Sequence, residues 1–178
     1  MRPIASSRAR RHTLARVNRP RLYLVCGLPG AGKTTRSLQI VQEVPCVQLC
    51  ADDWVLGLGV SLVDFAFRVK LQACLLAHAA SLLRCGLSVI VEFGSWSAEE
   101  RERIRQTAVR EGAVTELHFL KVPREELVRR VRARGGSEAE ALVNVVLQDA
   151  EKFEEPSRDE VSRFDRYVGP TDTWSPIA

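Results

Sequence analysis

The sequence predicts an α/β protein of three layers, in which a parallel β-sheet lies between helices. Short apolar runs at residues 22–26, 47–50 and 87–91 alternate with longer segments that suit helices, which is the pattern of a buried parallel sheet. A glycine-rich loop joins the first run to a helix, and carboxylates follow the second and third runs directly. Polar groups placed there meet at one edge of such a sheet.

The first strand, residues 21–26, leads into a glycine-rich loop that fits G-x-x-x-x-G-K-[ST]. Glycines let backbone N–H groups turn toward a polyphosphate, and the following helix directs its N-terminus at the anion. Lys33 is expected to reach the β- and γ-phosphates and Thr34 to hold Mg²⁺, so ATP and Mg²⁺ are the predicted cofactors. The predicted nucleotide-binding residues are Gly27, Leu28, Pro29, Gly30, Ala31, Gly32, Lys33, Thr34 and Thr35.

Acidic residues stand just after the second and third strands. Asp52 and Asp53 follow the run at 47–50, and Glu92 follows the run at 87–91. Ligands of open α/β sheets bind beyond the carboxyl ends of strands, so these carboxylates are expected in the crevice that holds the phosphates. Glu92 has a Walker B type of position, where a carboxylate orders Mg²⁺ or its water shell.

The spacing of apolar residues, glycines and prolines predicts the other elements. They are helices over 34–44, 62–83, 97–111 (opened by a capping box at Ser97 and Glu100), 125–134 and 137–153, the last capped by Ser137, a strand over 114–122, and a short peripheral helix within 157–167.

Two helices carry polar stripes with more than one interpretation. Asp64, Arg68 and Gln72 recur every four residues, which fits either a solvent-facing side or the lining of a substrate cleft. Arg130 and Arg134 share one face of the helix that Gly135 and Gly136 end. That pattern is typical of a mobile lid over a triphosphate, and equally of a solvated helix face.

Charge is unevenly distributed along the 178 residues. Seven arginines lie within residues 1–21, ahead of the first acidic residue, Glu43, and the remaining chain carries 19 basic against 22 acidic residues, although the whole chain has a net charge of +4. We expect residues 1–20 to form a basic, disordered arm, with a nucleic-acid contact or a targeting peptide as alternatives. Residues 21–168 then form one domain and 169–178 a tail.

Cysteine usage and hydropathy predict a cytoplasmic protein. The five cysteines are an odd number, lie in apolar runs and contain no C-x-x-C pair, which favours reduced, buried thiols over a disulfide framework or a zinc site. No uninterrupted apolar run approaches the ~20 residues that a membrane span requires. We therefore expect no membrane association.

In the order and type of its motifs the chain resembles the P-loop kinases of the AAA-type ATP-binding, zeta-toxin-like group, which includes polynucleotide 5′-hydroxyl kinases. The resemblance covers about residues 22–164. It is carried by residues 26–35, the Asp-Asp-Trp at 52–54, Trp-Ser with Glu-Arg at 96, 97, 100 and 101, Arg-x-x-x-Arg-Gly at 130–135 and Phe-Glu-Glu-Pro at 153–156. It implies a three-layer P-loop NTPase of the nucleotide kinase type with a helical lid.

The resemblance also implies roles for particular residues. Asp52 matches the catalytic base of polynucleotide kinases, and Arg130 and Arg134 match phosphate-contacting lid arginines, so with Lys33 they are the expected catalytic residues. The expected substrate-binding residues are Asp53, Arg68, Glu92, Trp96 and Arg101. Where many relatives close the third strand with Asp, this chain has Glu92.

Three functions fit these motifs. The first is transfer of the γ-phosphoryl group of ATP to a hydroxyl of a small molecule such as a metabolite, nucleotide sugar or antibiotic. The second is a polynucleotide 5′-kinase, in which the basic arm and Trp96 help to hold a nucleic-acid end; few aromatic residues and a basic charge confined to the arm argue against it. The third is a nucleotide-binding switch that transfers nothing.

Overall fold

A computed structural model describes residues 19–93, 95–136, 138–174 and 176. Residues 1–18 of the predicted arm, and Ser137, the predicted helix cap, lie outside the described residues. The last two residues of the predicted arm join the domain: Arg19 Nε donates to the Gly112 carbonyl at 2.9 Å, and the Pro20 carbonyl accepts from Val114 N at 2.8 Å.

Five strands and seven α-helices are seen in the described part of the chain. They are β1 (Arg21–Cys26), α1 (Lys33–Glu43), β2 (Cys46–Cys50), α2 (Ala51–Gly57), α3 (Phe65–Arg84), β3 (Ser88–Glu92), α4 (Ala98–Arg110), β4 (Val114–Phe119), α5 (Arg124–Arg134), α6 (Ala139–Asn144), α7 (Arg158–Val161) and β5 (Arg166–Val168). A π-helical turn, Val145–Asp149, and a 3₁₀ turn, Ala150–Lys152, continue α6.

The predicted fold class is confirmed: the strands form a parallel sheet in the order β2-β3-β1-β4-β5. Alternate residues of β1 reach opposite faces. Leu22 and Leu24 pack in the core beneath α3 and α4, whereas Tyr23 and Val25 pack with Ile40 of α1. Because both faces are covered, the central strands are apolar throughout.

The end of the chain differs from the prediction. A short helix, α7, is present within the predicted segment, but that segment ends in β5, which pairs with β4. Asp165 supports this pairing, since its carboxylate accepts from the Thr115 backbone N at 2.7 Å and the Thr115 hydroxyl at 2.8 Å. A three-residue edge strand has too little sequence pattern to be recognised without its partner.

The described part of the predicted tail packs on the sheet. Trp174 Nε1 donates to the buried Glu116 carboxylate at 2.6 Å, and the same carboxylate contacts His118 Nε2 at 2.9 Å and Arg21 at 3.0 Å. Burial tends to raise the pKa of Glu116, but the hydrogen bonds from His118 and Trp174 outweigh it and hold the pKa below its ordinary value. These contacts anchor the chain end beyond β5.

Helix α3 is the one described helix that is long and apolar enough to cross a membrane, with a mean hydropathy of 1.2. Its Leu75, Ala79 and Leu83 are buried against the sheet, and its Arg68 forms an ion pair with Asp52. These contacts are those of a helix that covers the sheet of a globular domain.

All five cysteines are free, as expected, but not all are buried. Cys26 and Cys50 lie in the core, Cys46 is half-buried, and Cys74 and Cys85 are exposed on and after α3. Burial raises the pKa of both Cys26 and Cys50 to about 12, which disfavours the reactive thiolate form. The prediction of burial was wrong for Cys74, which lies on the outer side of α3, and for Cys85, which lies just after the end of that helix.

The predicted capping box of α4 is confirmed. The Ser97 hydroxyl accepts from Glu100 N at 3.1 Å, and the Glu100 carboxylate accepts from Ser97 N at 3.1 Å. The Glu100 carboxylate also accepts from Trp96 N at 2.8 Å, so the cap shapes the loop before α4.

We expect Ser97→Ala to lower the free energy of unfolding by about 1 kcal/mol, because the Glu100 N–H loses its acceptor. Urea denaturation followed by circular dichroism measures the change. Ser81→Ala, which removes an exposed hydroxyl from the last turn of α3, is the matched control and should stay within about 0.5 kcal/mol of the parent. Equal effects of the two changes would contradict the cap.

Candidate active site

The loop at residues 27–35 is held so close to its neighbours that two of its positions require glycine. A Cβ on Gly27 (φ +148°) would lie 2.6 Å from the Leu120 carbonyl oxygen, and one on Gly30 (φ +82°) would lie 2.9 Å from the Leu127 carbonyl oxygen. Those contacts are shorter than a Cβ tolerates, and both φ values favour glycine. The loop is therefore wedged between the end of β4 and helix α5.

Helix α1 begins at this loop with its N-terminal amides uncovered. Gly32 is the cap residue with φ +98°, no side chain caps the helix, and its first turn has no acidic residue. A Cβ at Gly32 would meet nothing within 4 Å. Free N–H groups, the positive end of the helix dipole and open space together suit a phosphate group.

Lys33 lies in the first turn of α1 with its ammonium folded back on the loop. Its Nζ donates to the carbonyls of Gly27 at 3.0 Å and Leu28 at 3.3 Å. Burial lowers the pKa of Lys33, and the carboxylates of Asp52 and Glu92 oppose that shift. The ammonium thus lies among phosphate-facing groups as a single positive charge that can turn toward an anion.

Thr34 and Glu92 join the loop to the end of β3. The Thr34 hydroxyl donates to Glu92 Oε1 at 2.6 Å, and Gln48 Nε2 of β2 donates to Glu92 Oε2 at 2.9 Å. Because the Thr34 hydroxyl donates its hydrogen bond to Glu92, the lone pairs of its oxygen remain available for a cation. Hard oxygen ligands of this kind suit Mg²⁺. The Glu92 side chain, longer than the Asp of many relatives, therefore contacts the Thr34 hydroxyl, which is the expected Mg²⁺ ligand.

Asp52 lies in the first turn of α2, directly after β2. Arg68 Nη2 of α3 donates to Asp52 Oδ1 at 2.8 Å, while 44% of the Asp52 side chain stays exposed. Arg68 also donates to the Leu62 carbonyl at 3.3 Å, so two contacts fix its guanidinium. Asp53 is exposed at the same helix start, and the neighbouring Trp54 is 47% exposed.

One cavity of about 580 Å³ brings these groups together. Gly27, Pro29, Gly30, Gly32, Lys33, Thr34, Asp52, Asp53, Arg68, Gln72, Glu92, Trp96 and Arg134 line it. Of the polar stripe on α3, Arg68 and Gln72 therefore face the cleft, whereas Asp64 caps the helix by accepting from Phe67 N at 2.9 Å.

Three predicted nucleotide-binding side chains lie elsewhere. Leu28 and Ala31 pack with Leu127 and Val131 of α5, and Thr35 is exposed in the first turn of α1, outside the cavity lining. Leu28 and Ala31 thus anchor the loop through their apolar side chains, and their backbone amides are the groups that could contact a phosphate.

The arginines of α5 differ in whether they face the cavity. Arg134 lines the cavity, whereas Arg130 donates to Glu126 at 2.7 Å and reaches the Gly30 carbonyl only at 3.5 Å. Arg129 pairs with Glu126 and Arg132 with Glu140 on the outside. After α5, Gly135 and Gly136 adopt φ +67° and +91°, conformations that favour glycine, at the place where the sequence predicts the hinge of a lid.

Arg101, an expected substrate-binding residue, lies outside the cavity lining, and a substrate role for it stays a prediction. Its side chain is 0% exposed, and it forms a two-point ion pair with Glu160 of α7 at 2.5 and 2.8 Å. Its Nη1 also donates to the carbonyl of Ser95 at 3.1 Å. The Arg101 side chain therefore holds the loop that carries Trp96. Trp96 lines the cavity and contacts Phe153 edge-on.

Two site features were missed from the sequence. Gln48, which positions Glu92, is a lone polar residue between Val47 and Leu49, and that isolation was the available signal. Glu138 lines the cavity and accepts from the Ser61 hydroxyl at 2.9 Å, which bridges the segment after the hinge to the segment before α3. Nothing in the sequence around Ser61 indicated this long-range contact.

A parallel sheet with a glycine loop, a helix N-terminus, Lys33 and the Thr34–Glu92 pair at its carboxyl edge defines a P-loop NTPase fold of the kinase type. The chain belongs to the AAA domain family, whose model matches residues 22–156. No curated protein matches the chain significantly in sequence.

Solved structures of kinases are similar to the chain. A chain of the Pnkp1/Rnl/Hen1 RNA repair complex matches with 26% identity and a TM-score of 0.59, over 76% of this chain and 46% of that chain. The Mycobacterium tuberculosis APS kinase CysC, in complex with AMPPNP and APS, matches with 21% identity and a TM-score of 0.58, over 87% and 91% of the two chains. A gluconokinase from Sinorhizobium meliloti 1021 matches with 21% identity and a TM-score of 0.56, over 87% and 85%.

The present chain thus spans less than half of the matched chain from the RNA repair complex, but most of the two small-molecule kinases. At these identities the two small-molecule kinases establish a shared fold.

The buried pair yields a stability prediction. Arg101→Met should destabilise the protein by about 3–5 kcal/mol, because Glu160 is left charged and buried without its partner. The double change Arg101→Met with Glu160→Leu should recover most of that loss, and Arg103→Met, on the exposed side of α4, should stay within about 0.5 kcal/mol. Urea denaturation measures all three. A stable Arg101→Met protein with impaired acceptor binding would support the substrate role.

Proposed function

We propose that the protein transfers the γ-phosphoryl group of ATP to a hydroxyl group of a small molecule, with Asp52 as the general base. The observation that carries the proposal is the position of Asp52: its exposed carboxylate shares one cavity with Lys33 and the open N-terminus of α1. A phosphate donor site and a proton acceptor in one cleft are what phosphoryl transfer to an alcohol requires.

The phosphate side of the cavity supplies charge without covalent chemistry. The α1 amides and Lys33 are arranged to hold the β- and γ-phosphates, and Arg134 is the lid cation that can approach the transferring group. Lys33 must exchange its two loop carbonyls for phosphate oxygens. That exchange is favourable because the carbonyls carry only partial charge.

Thr34 is the residue that would hold Mg²⁺, with Glu92 behind it. Glu92 fixes the Thr34 hydroxyl, and Gln48 fixes Glu92, so the cation ligand is oriented before a nucleotide arrives. When bound, Mg²⁺ neutralises charge that develops on the phosphate oxygens.

On the acceptor side, Asp52 receives the hydroxyl proton. Arg68 binds Oδ1 and holds the carboxylate in one orientation, which leaves Oδ2 for the acceptor. Asp53 and Trp96 line the same space and are the proposed substrate contacts beside Arg68. Their position supports a small acceptor enclosed by the cleft.

A 5′-hydroxyl end of a polynucleotide is the second candidate acceptor. It is favoured by the similarity to a chain of an RNA repair complex, at 26% identity. A nucleotide-binding switch without transfer is the remaining alternative.

One experiment separates the three. The protein is incubated with ATP labelled in the γ-phosphate, with and without a pool of hydroxylated metabolites, nucleotide sugars and antibiotics, and in parallel with a 5′-hydroxyl oligonucleotide. Label in a pool component supports the proposal, label on the oligonucleotide supports the second candidate, and nucleotide binding with label in neither supports a switch. Lys33→Ala, which removes the ammonium beside the phosphates, provides the negative control.

Asp52→Asn should lower the rate of transfer by about 10²–10⁴-fold while ATP binding changes little, because the amide cannot accept the proton. Asp53→Asn, one residue further on in the same helix turn, should have a smaller effect. Single-turnover transfer and ATP titration measure the two quantities. The reverse ranking would assign the base to Asp53.

The lid arginines provide a further expected ranking. Arg134→Ala should reduce transfer more than it reduces ATP affinity, because its contact strengthens as charge spreads over the transferring group. Arg130→Ala should be milder, since Arg130 is paired with Glu126. Arg129→Ala, on the outer side of α5, is the matched control for each rate. If it is as damaging as Arg134→Ala, the helix acts through general charge and the lid assignment fails.

A further inference from the structure

Large apolar side chains are exposed in one short part of the chain. Of the ten that are exposed among the described residues, five fall between residues 54 and 69: Trp54, Leu56, Leu58, Phe65 and Val69. Exposed apolar side chains that together line a cavity commonly mark a binding site.

Part of this cluster belongs to the cavity itself. Leu56, Phe65 and Val69 line it together with the half-buried Leu62, and these four residues are here named the apolar wall. Phe65 and Val69 are 57% and 68% exposed although they lie one helical turn apart on the same side of α3. Apolar side chains that are this exposed contribute the most binding free energy when a ligand removes them from water.

The apolar wall adjoins the proposed base. Leu62 offers its carbonyl to Arg68, Arg68 binds Asp52, and Val69 follows Arg68 directly on α3. A molecule resting on Phe65 and Val69 is therefore beside the carboxylate that accepts the proton. Through Arg68 the wall adjoins Asp52, and so the side of the cavity proposed for the acceptor.

Charge in the cavity disfavours an anionic acceptor. The charged lining residues are the cations Lys33, Arg68, Arg134 and Lys152 and the anions Asp52, Asp53, Glu92, Glu100 and Glu138. Four positive charges against five negative ones leave no surplus for an acceptor anion, and the nucleotide brings further negative charge. Arg68, the cation nearest the wall, is already paired with Asp52.

We propose, on the basis of the proposed phosphotransferase function, that the acceptor is an uncharged alcohol with an apolar, ring-sized body. Its body rests on the apolar wall and its hydroxyl points at Asp52. In the transfer step the hydroxyl oxygen bonds to the γ-phosphorus of ATP, and the hydroxyl proton passes to Asp52. The bond from that phosphorus to the bridging oxygen breaks, and ADP leaves with the electron pair. A phosphorylated alcohol and ADP are the products.

The test compares alcohols that differ in their bodies. Phenylpropanol, glucose, glycerol phosphate and a 5′-hydroxyl oligonucleotide are each offered with labelled ATP, and kcat/KM is measured for transfer. We expect phenylpropanol to exceed each of the other three by about 10-fold or more, which is what burial of a few methylene equivalents provides.

Variants of the wall tie that preference to the named side chains. Phe65→Ala and Val69→Ser should each lower kcat/KM for phenylpropanol by about 10-fold, through KM, and leave the KM for ATP unchanged. Both side chains are mostly exposed, so the fold should tolerate these changes. Val109→Ser, at an exposed apolar position of α4 outside the cavity lining, is the matched control and should change neither constant.

Each other outcome contradicts the inference in a recognisable way. Preferred transfer to glycerol phosphate or to the oligonucleotide, or wall variants that behave like Val109→Ser, overturns the acceptor class and leaves phosphoryl transfer standing. Self-association that is lost in the wall variants, with unchanged kcat/KM, assigns the wall to a protein interface and overturns the inference. No transfer to any alcohol, with ATP binding intact, overturns the proposed function as well.

Discussion

The close packing of the glycine loop against β4 and α5 is the constraint on which the rest of the site depends. Gly27 lies against the Leu120 carbonyl, and Gly30 lies against the Leu127 carbonyl and the Val131 side chain. The same contacts that shape the loop therefore fix the base of α5, the helix whose last turn carries Arg134. The packing of the glycine loop against α5 therefore sets both the shape of the predicted phosphate site and the position of the predicted lid helix.

Polar residues at the carboxyl edge of the sheet are joined in pairs rather than left to solvent. Glu92 is buried, yet both its oxygens have donors, Thr34 on α1 and Gln48 on β2. Asp52 is paired with Arg68 across the gap between α2 and α3. Burying a carboxylate is tolerable only with such partners, so the pairs both permit the site to exist and orient it before a ligand binds.

The ion pair of Arg101 and Glu160 provides the equivalent support on the other side of the cavity. Arg101 holds the Ser95 carbonyl, and the Trp96 carbonyl accepts from Glu154 N at 2.8 Å, next to Phe153. The motif residues at 96–101 and 153–156 thus lie in two segments that contact each other. These contacts hold Trp96 at the cavity.

The sequence by itself determined the elements whose cause is local. The run of residues 21–26, the glycine loop, the start of α1 and the capping box at Ser97 each depend on neighbours within a few positions, and all were predicted correctly. The positions of Asp52 and Glu92 after strands followed from the same local pattern and the rule for parallel sheets.

Tertiary structure decided the features that require partners distant in sequence. β5 exists because β4 pairs with it, Arg101 is buried because Glu160 lies 59 residues further along the chain to neutralise it, and Gln48 matters only because β2 lies beside β3. In the sequence, nothing distinguishes the four residues of the apolar wall from apolar residues of the core. Only the fold shows that the wall faces the cavity, because hydrophobicity specifies burial in general but not the surface that provides it.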